Sequence, residues 1–169
     1  MIAHHIAPAD PDTKLVYGAC RPGYPAIEPD ETEVTTWLAA IQENGIKRVC
    51  CLLPAGELQL YDDLLARYRD RFGAENVLHA PIQDYTAISP RLFSEQVQPF
   101  LEESVRQDLR TVVHCSAGVG RTGQVLTLWL ALEHDYDLET AIYTVRSQYR
   151  DPLESVDITT FRALYDSLQ

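Results

Sequence analysis

The sequence predicts an α/β domain: a central, mostly parallel sheet flanked by helices. Three observations point there. Short apolar or β-branched runs alternate along the chain with stretches of helical periodicity, the order that builds parallel strands joined by helices. The 169 residues suit one hydrophobic core. The strand-like run Thr111-Val112-Val113-His114-Cys115 leads through a glycine-rich loop to Arg121 and a helical pattern. A Cys-x5-Arg loop between strand and helix is thereby placed at the carboxyl end of a central strand, where open α/β sheets bind ligands.

Each element has its own signal. Residues 1–13 are polar and contain prolines, so they are expected as a loose N-terminal arm before a domain over 14–169. Lys14 to Cys20 reads as a strand, and Arg21-Pro22-Gly23-Tyr24-Pro25 as a turn. Asp30 with Glu33 three residues later forms a capping pair for a helix carrying Val34, Trp37, Leu38 and Ile41, which Gly45 ends. Ile46 to Leu53 is a second strand. Glu57 to Phe72 alternates Leu60, Leu64, Leu65 and Tyr68 with charge, the pattern of one amphipathic helix. Asn76 to Ile82 is a third strand. Ser89-Pro90 opens a helix, as N-cap with proline in the first position. Helices near 121–134, 137–149 and 157–168 complete the chain.

The loop carries the chemistry. Gly118, Gly120 and Gly123 let the backbone curl and aim N–H groups inward. A strand, a tight loop and a helix N-terminus together favour an anion. The same field favours negative charge on the Cys115 sulfur. Arg121 grips two phosphoryl oxygens at once. Amides and guanidinium neutralise a phosphate between them, so no metal and no cofactor is expected.

His114-Cys115-x5-Arg121-Thr122 resembles the active-site loop of the cysteine-dependent protein tyrosine phosphatase superfamily, in its small dual-specificity members. The resemblance covers about residues 80–169 well, and the earlier half in layout only. It implies Cys115 as nucleophile, with Ser116, Ala117, Gly118, Val119, Gly120 and Arg121 binding the phosphate. It further implies that Thr122 donates to the Cys115 sulfur and that His114 supports the loop through backbone hydrogen bonds. The acid of such enzymes is an aspartate on a separate loop. Asp84 stands 115 − 84 = 31 residues upstream, in Ile82-Gln83-Asp84-Tyr85, at the family's place for it. Asp62, Asp63 and Asp70 fall on the polar face of the expected helix. The implied reaction has two steps, with Asp84 first giving a proton to the leaving oxygen and then acting as base for water. Many relatives carry a glutamine late in the chain to position that water. The corresponding stretch here, Arg150 to Phe161, has none; Asp157 and Thr159 are the substitutes at hand, Asp157 reads equally as the N-cap of the last helix, and no water-positioning residue is assigned. Arg150 is expected to order this region near the phosphate site.

Substrate class follows less directly. The chain lacks an insertion for a deep phosphotyrosine slot, so phosphotyrosine is expected in a phosphorylated protein substrate, with phosphoserine and phosphothreonine also open. Two other classes stay in view: a phosphatase of small-molecule or lipid phosphates, and a non-catalytic phosphate-binding module. A rhodanese-like sulfur carrier also uses a loop cysteine, but Asp84 and the Arg121-Thr122 pair fit phosphoryl chemistry better. The formal net charge of −11 disfavours nucleic acid and anionic membranes as partners. Arg67, Arg69 and Arg71 form a local basic run, read as a solvated helix face. No secretory segment, no spanning apolar run and no disulfide framework is evident among the four cysteines, so a cytoplasmic enzyme is expected. Cys50 and Cys51, adjacent on a strand, should face opposite ways. The bland reading is two buried hydrophobes; the other is a protective disulfide from one of them to Cys115.

Overall fold

The structure is a computed structural model that describes residues 3–169. Five strands form one sheet: β1 (Ala7–Pro8), β2 (Val16–Ala19), β3 (Ile46–Cys51), β4 (Val77–His79) and β5 (Arg110–His114). Their order is β1-β2-β5-β3-β4. Only β1 runs antiparallel to its neighbour. The helices are α1 (Glu31–Glu43), α2 (Ala55–Leu58), α3 (Leu64–Phe72), α4 (Pro90–Leu92), α5 (Gln98–Arg106), α6 (Gly120–Glu133), α7 (Leu138–Arg146) and α8 (Ile158–Ser167). This is the expected α/β sandwich.

Both faces of the sheet are covered, as a parallel sheet requires. One face holds Cys50, Val113, Leu126, Leu128 and Phe161. The other holds Val49, Cys51, Val112, Trp37, Ile41 and Tyr68. Central β5 is buried from Thr111 to His114, and α6 from Gly120 to Ala131. An apolar helix of that kind must lie in the core, and it docks behind the sheet as its sequence demands.

Local signals explain the element ends. Asp30 and Glu33 make the expected reciprocal cap of α1, each side chain 2.9 Å from the other's backbone N. The Ser89 hydroxyl accepts from Leu92 N, with Pro90 opening α4. Between α4 and α5 the helix widens into a π turn over Phe93–Val97. Pro99, which follows at once, has no N–H for the Glu95 carbonyl, and a wider turn relieves its ring against it.

Two expectations need correction. The expected helix from Glu57 to Phe72 is two helices. Asp63, in the left-handed region (φ 50°), caps α3 by accepting from Ala66 N. The intervening Tyr61 is drawn inward, donating to Pro22 O at 2.6 Å and accepting from Arg21 Nη1 at 3.1 Å. The N-terminal arm is not loose over the described residues. β1 pairs with β2, Ile6, Ala7 and Ala9 are buried, and His5 O accepts from Arg150 Nη2. Residues 1 and 2 of that arm lie outside the described residues. Among the described residues, no helix is long and apolar enough to cross a membrane.

Candidate active site

Strand register places the site. Ala19, His114, Cys51 and His79 lie level at the carboxyl ends of β2, β5, β3 and β4. The loops that follow these four strands therefore share one edge. They bring Arg21 and Tyr24, Cys115, Glu57, and Asp84 together from four distant parts of the chain. The resulting cleft, of about 260 Å³, is lined by Tyr24, Asp84, Tyr85, Cys115, Ser116, Ala117, Gly120, Arg121 and Glu154.

The loop after β5 turns its amides inward because its carbonyls are held outward. Cys115 O binds His114 Nδ1 (3.0 Å) and Ser116 O accepts from Arg21 N (2.9 Å). Gly118 O accepts from Arg150 Nη1 (2.9 Å), and Val119 O accepts from Gly123 N (3.0 Å) and Asp151 N (3.1 Å). For the N–H groups of Ser116 to Val119 there is no protein acceptor among the described residues. Such a ring of free amides, continued by the first turn of α6, is an anion cradle. Gly118 makes the curl, with φ +77° and no room for a side chain: a Cβ there would stand 2.3 Å from Ala19 O. Gly120 and Gly123 belong to α6, and Gly123 is required by packing against Asp151 and Pro152.

Cys115 lies at the floor, 2% exposed. Thr122 Oγ1 donates to its sulfur at 3.2 Å, as expected. His114, fully buried, holds the loop from beneath. A carbonyl only accepts, so Nδ1 carries the proton donated to Cys115 O, and Nε2 accepts from Tyr68 Oη at 2.9 Å. Burial pushes the His114 pKa down to about 4, against the Cys115 carbonyl, which favours the charged form. The imidazole is neutral at pH 7. It packs edge-on to both Trp37 and Tyr68.

Arg121 is buried and doubly held. Its Nη1 and Nη2 donate to the two Glu57 oxygens at 2.6 and 2.9 Å, and Nη1 also reaches Ile82 O at 3.0 Å. Burial works against its charge, but Glu57, the Cys115 sulfur and Asp84 outweigh it, so its pKa lies above the ordinary value. Asp84 Oδ1 is 3.5 Å from Arg121 Nε and accepts from Tyr85 N. The loop carrying Asp84 is fastened to α6 by Gln124, whose Oε1 accepts from Ile88 N and whose Nε2 donates to Thr86 O. Arg150, 2% exposed, meets no carboxylate among the described residues: it donates to Gly118 O and His5 O. These contacts tie it to the phosphate loop and to the N-terminal arm, not to the late stretch it is expected to order. Burial lowers its pKa to about 10, leaving it charged at pH 7.

The geometry also shows what sequence reading missed. Glu57, Gln124, Tyr24, Tyr85 and Glu154 were given no role there. Glu57 begins the stretch that reads as one long helix, and Glu154 stands in the late stretch that has no glutamine. Asp157 caps α8 through Thr160 N (2.8 Å), one of the two readings open for it, and neither it nor Thr159 lines the cleft. Cys50 and Cys51 do face opposite sides. Burial pushes both thiols far up, Cys51 to about 12, and likewise Cys20 to about 11, which makes them poor nucleophiles. In the basic run, Arg67 pairs with Glu31 and Arg71 donates to Gln42.

Solved structures share this fold. Tk-PTP in its active form is 25% identical and superposes with a TM-score of 0.74, over 99% of this chain and 97% of that one. Kinase associated phosphatase, in a form with its catalytic-site cysteine changed to serine, shares the fold at 22% identity (TM-score 0.71; 90% and 86% covered). PTPMT1 in complex with PI(5)P does so at 13% identity (TM-score 0.67; 96% of each chain). No curated protein sequence matches the chain. The family model Tc-R-P, described as "Polymorphic toxin system, DSP-PTPase phosphatase", matches residues 26–134, a span that holds Glu57, Asp84 and the whole loop from Cys115 to Arg121. With its cysteine at the floor of an amide cradle, the chain belongs to this DSP-PTPase family of cysteine-based phosphatases.

Proposed function

We propose that the protein hydrolyses phosphotyrosine in protein substrates through a phosphocysteine intermediate. The observation that carries the substrate class is the pair of tyrosines at the mouth of the cleft. Tyr24 is 38% exposed and Tyr85 77%, and both line the cleft with Cys115 at its floor. Two exposed aromatic rings beside a phosphate cradle suit an aryl ester, which can pack against them at offset or edge-on geometry.

The charges of the lining point the same way. Among the described residues that line it, Arg121 is the only cation, against Asp84 and Glu154. A monoester with one phosphate meets less repulsion from those carboxylates than a polyphosphorylated headgroup does. PTPMT1, captured with PI(5)P, keeps the lipid reading as the alternative.

In the proposed first step the Cys115 sulfur attacks phosphorus in line. The loop amides and Arg121 hold the equatorial oxygens, and Asp84 protonates the departing phenolate. Thr122 then eases the sulfur's departure as water attacks.

The test is hydrolysis of para-nitrophenyl phosphate with chelator present, followed by a substrate panel. Cys115→Ser should abolish turnover, and Asp84→Asn should lower it by about 100-fold. A phosphotyrosyl peptide should be cleaved at least about tenfold faster than its phosphoseryl counterpart, and faster than PI(5)P. Faster cleavage of PI(5)P would transfer the enzyme to the lipid class. Vanadate binding without turnover would make it a phosphate-binding module.

A further inference from the structure

Glu154 is the anomaly of the cleft. It belongs to the turn between α7 and α8, and that turn is seated on the first turn of α6. Asp151 N donates to Val119 O, Leu153 N to Asp151 Oδ1 (3.0 Å) and Glu154 N to Asp151 O (3.2 Å). Arg146 braces Asp151 at 3.0 Å. The carboxylate then leans over Gly120, where any Cβ would come within 2.5 Å of Glu154 Oε2. No basic side chain among the described residues pairs with it. An unpaired carboxylate beside a phosphate cradle weakens dianion binding, so a site built for binding alone is better without it.

Asp84 is the other carboxylate of the cleft, and its Oδ1 is already engaged by Arg121 and by Tyr85 N. Two carboxylates around one reacting centre allow a division of proton transfers between them.

We infer that Glu154 is a second catalytic carboxylate, the base for the water that hydrolyses the phosphocysteine, leaving Asp84 to serve the leaving group. The inference rests on the phosphocysteine reading above. In this step the water oxygen bonds to phosphorus as its proton passes to Glu154. The P–Sγ bond breaks and its electron pair returns to Cys115, whose sulfur Thr122 meets at 3.2 Å. Inorganic phosphate leaves, and Glu154 gives its proton to solvent.

Oxygen exchange between ¹⁸O-labelled inorganic phosphate and water isolates this half of the reaction, because it needs no leaving group. Glu154→Gln should slow exchange by about 100-fold, while the single-turnover release of para-nitrophenol changes less than about threefold. Asp84→Asn should impair the single-turnover release instead. Glu154→Asp should restore part of the exchange, which a merely structural role does not predict. Unchanged exchange in Glu154→Gln, or equal loss in both assays, overturns the assignment to Glu154 alone. Absence of exchange in the wild type overturns the phosphocysteine reading on which it rests.

Discussion

Arg121 and Arg150, two of the buried arginines that reach the loop after β5, are bound in opposite ways. Arg121, on the cleft side, is held by carboxylates: Glu57 through both oxygens, with Asp84 at 3.5 Å. Arg150 is absent from the cleft lining and is held by carbonyls alone, at Gly118 and His5. Its Nε has no partner among the described residues. The difference separates two tasks. An arginine clamped by a carboxylate has a fixed plane, and its charge remains available to a second anion in front of it. An arginine bound to carbonyls fixes backbone shape, and lends the site its positive field without competing for the substrate. Gly18 makes room for it, since a Cβ there would stand 2.5 Å from Arg150 Nε.

The largest expected effect breaks this comparison by changing each arginine to lysine. Lysine keeps the charge and loses the planar fork. Arg121→Lys should lower kcat/KM by about 10³-fold, near the loss of a whole oxyanion donor, with little change in stability. Arg150→Lys should do the reverse: it cannot satisfy both carbonyls, so stability should fall by about 1–3 kcal/mol while kcat/KM falls less than about tenfold. Chemical denaturation read beside steady-state kinetics checks both. Equal losses of activity in the two variants would remove the distinction.

The support beneath the loop is sharpened by pH. His114 is buried neutral, with its pKa pushed down from 6.5 to about 4. Between those values the unfolded chain holds a proton that the folded chain refuses. Stability therefore rises with pH across that window: it is complete above 6.5 and is lost as pH falls toward 4. The contribution is on the order of 3 kcal/mol. Urea denaturation at pH 7.5 and 4.5 should show a difference of that order. His114→Asn keeps a donor for Cys115 O and removes the titration, so it should be less stable at pH 7.5 but flatter with pH. A wild-type slope no steeper than the variant's would show that another group carries the acid sensitivity.

How much of this was legible depended on sequence distance. Cys115, Thr122, Arg121 and the capping pair Asp30/Glu33 lie within a few residues of their partners, so spacing carries the geometry. Asp84 was reached through the family resemblance, which expects an aspartate on a separate loop upstream of the cysteine, and the structure sets it in the cleft lining. Glu57 was not, because its partner is 64 residues away and because Tyr61 and Asp63 break a periodicity that reads as continuous. Glu154 was hidden for a related reason: the turn bearing it is aimed by backbone bonds to Val119 and by the absence of a side chain at Gly120, neither of which leaves a pattern in its own stretch. The N-terminal arm looked loose because its tether, Arg150, is separated from His5 by 145 residues.

The smallest effect tests the clamp itself. Glu57→Gln keeps the shape of the side chain and removes its charge. One amide oxygen still accepts from Arg121, while the amide nitrogen faces the guanidinium donor-to-donor. Two consequences oppose each other. Without the neighbouring anion, Arg121 attracts a ground-state phosphate more strongly; without the second bond, its plane is no longer set for the transition state. If positioning is the main task of Glu57, kcat should fall about tenfold while KM also falls, and inorganic phosphate should inhibit more tightly. If its main task is to hold α2 in place, KM should rise with kcat little changed. The split between the two constants therefore decides whether the carboxylate clamp of Arg121 serves the reaction, as the carbonyl-bound Arg150 serves the fold.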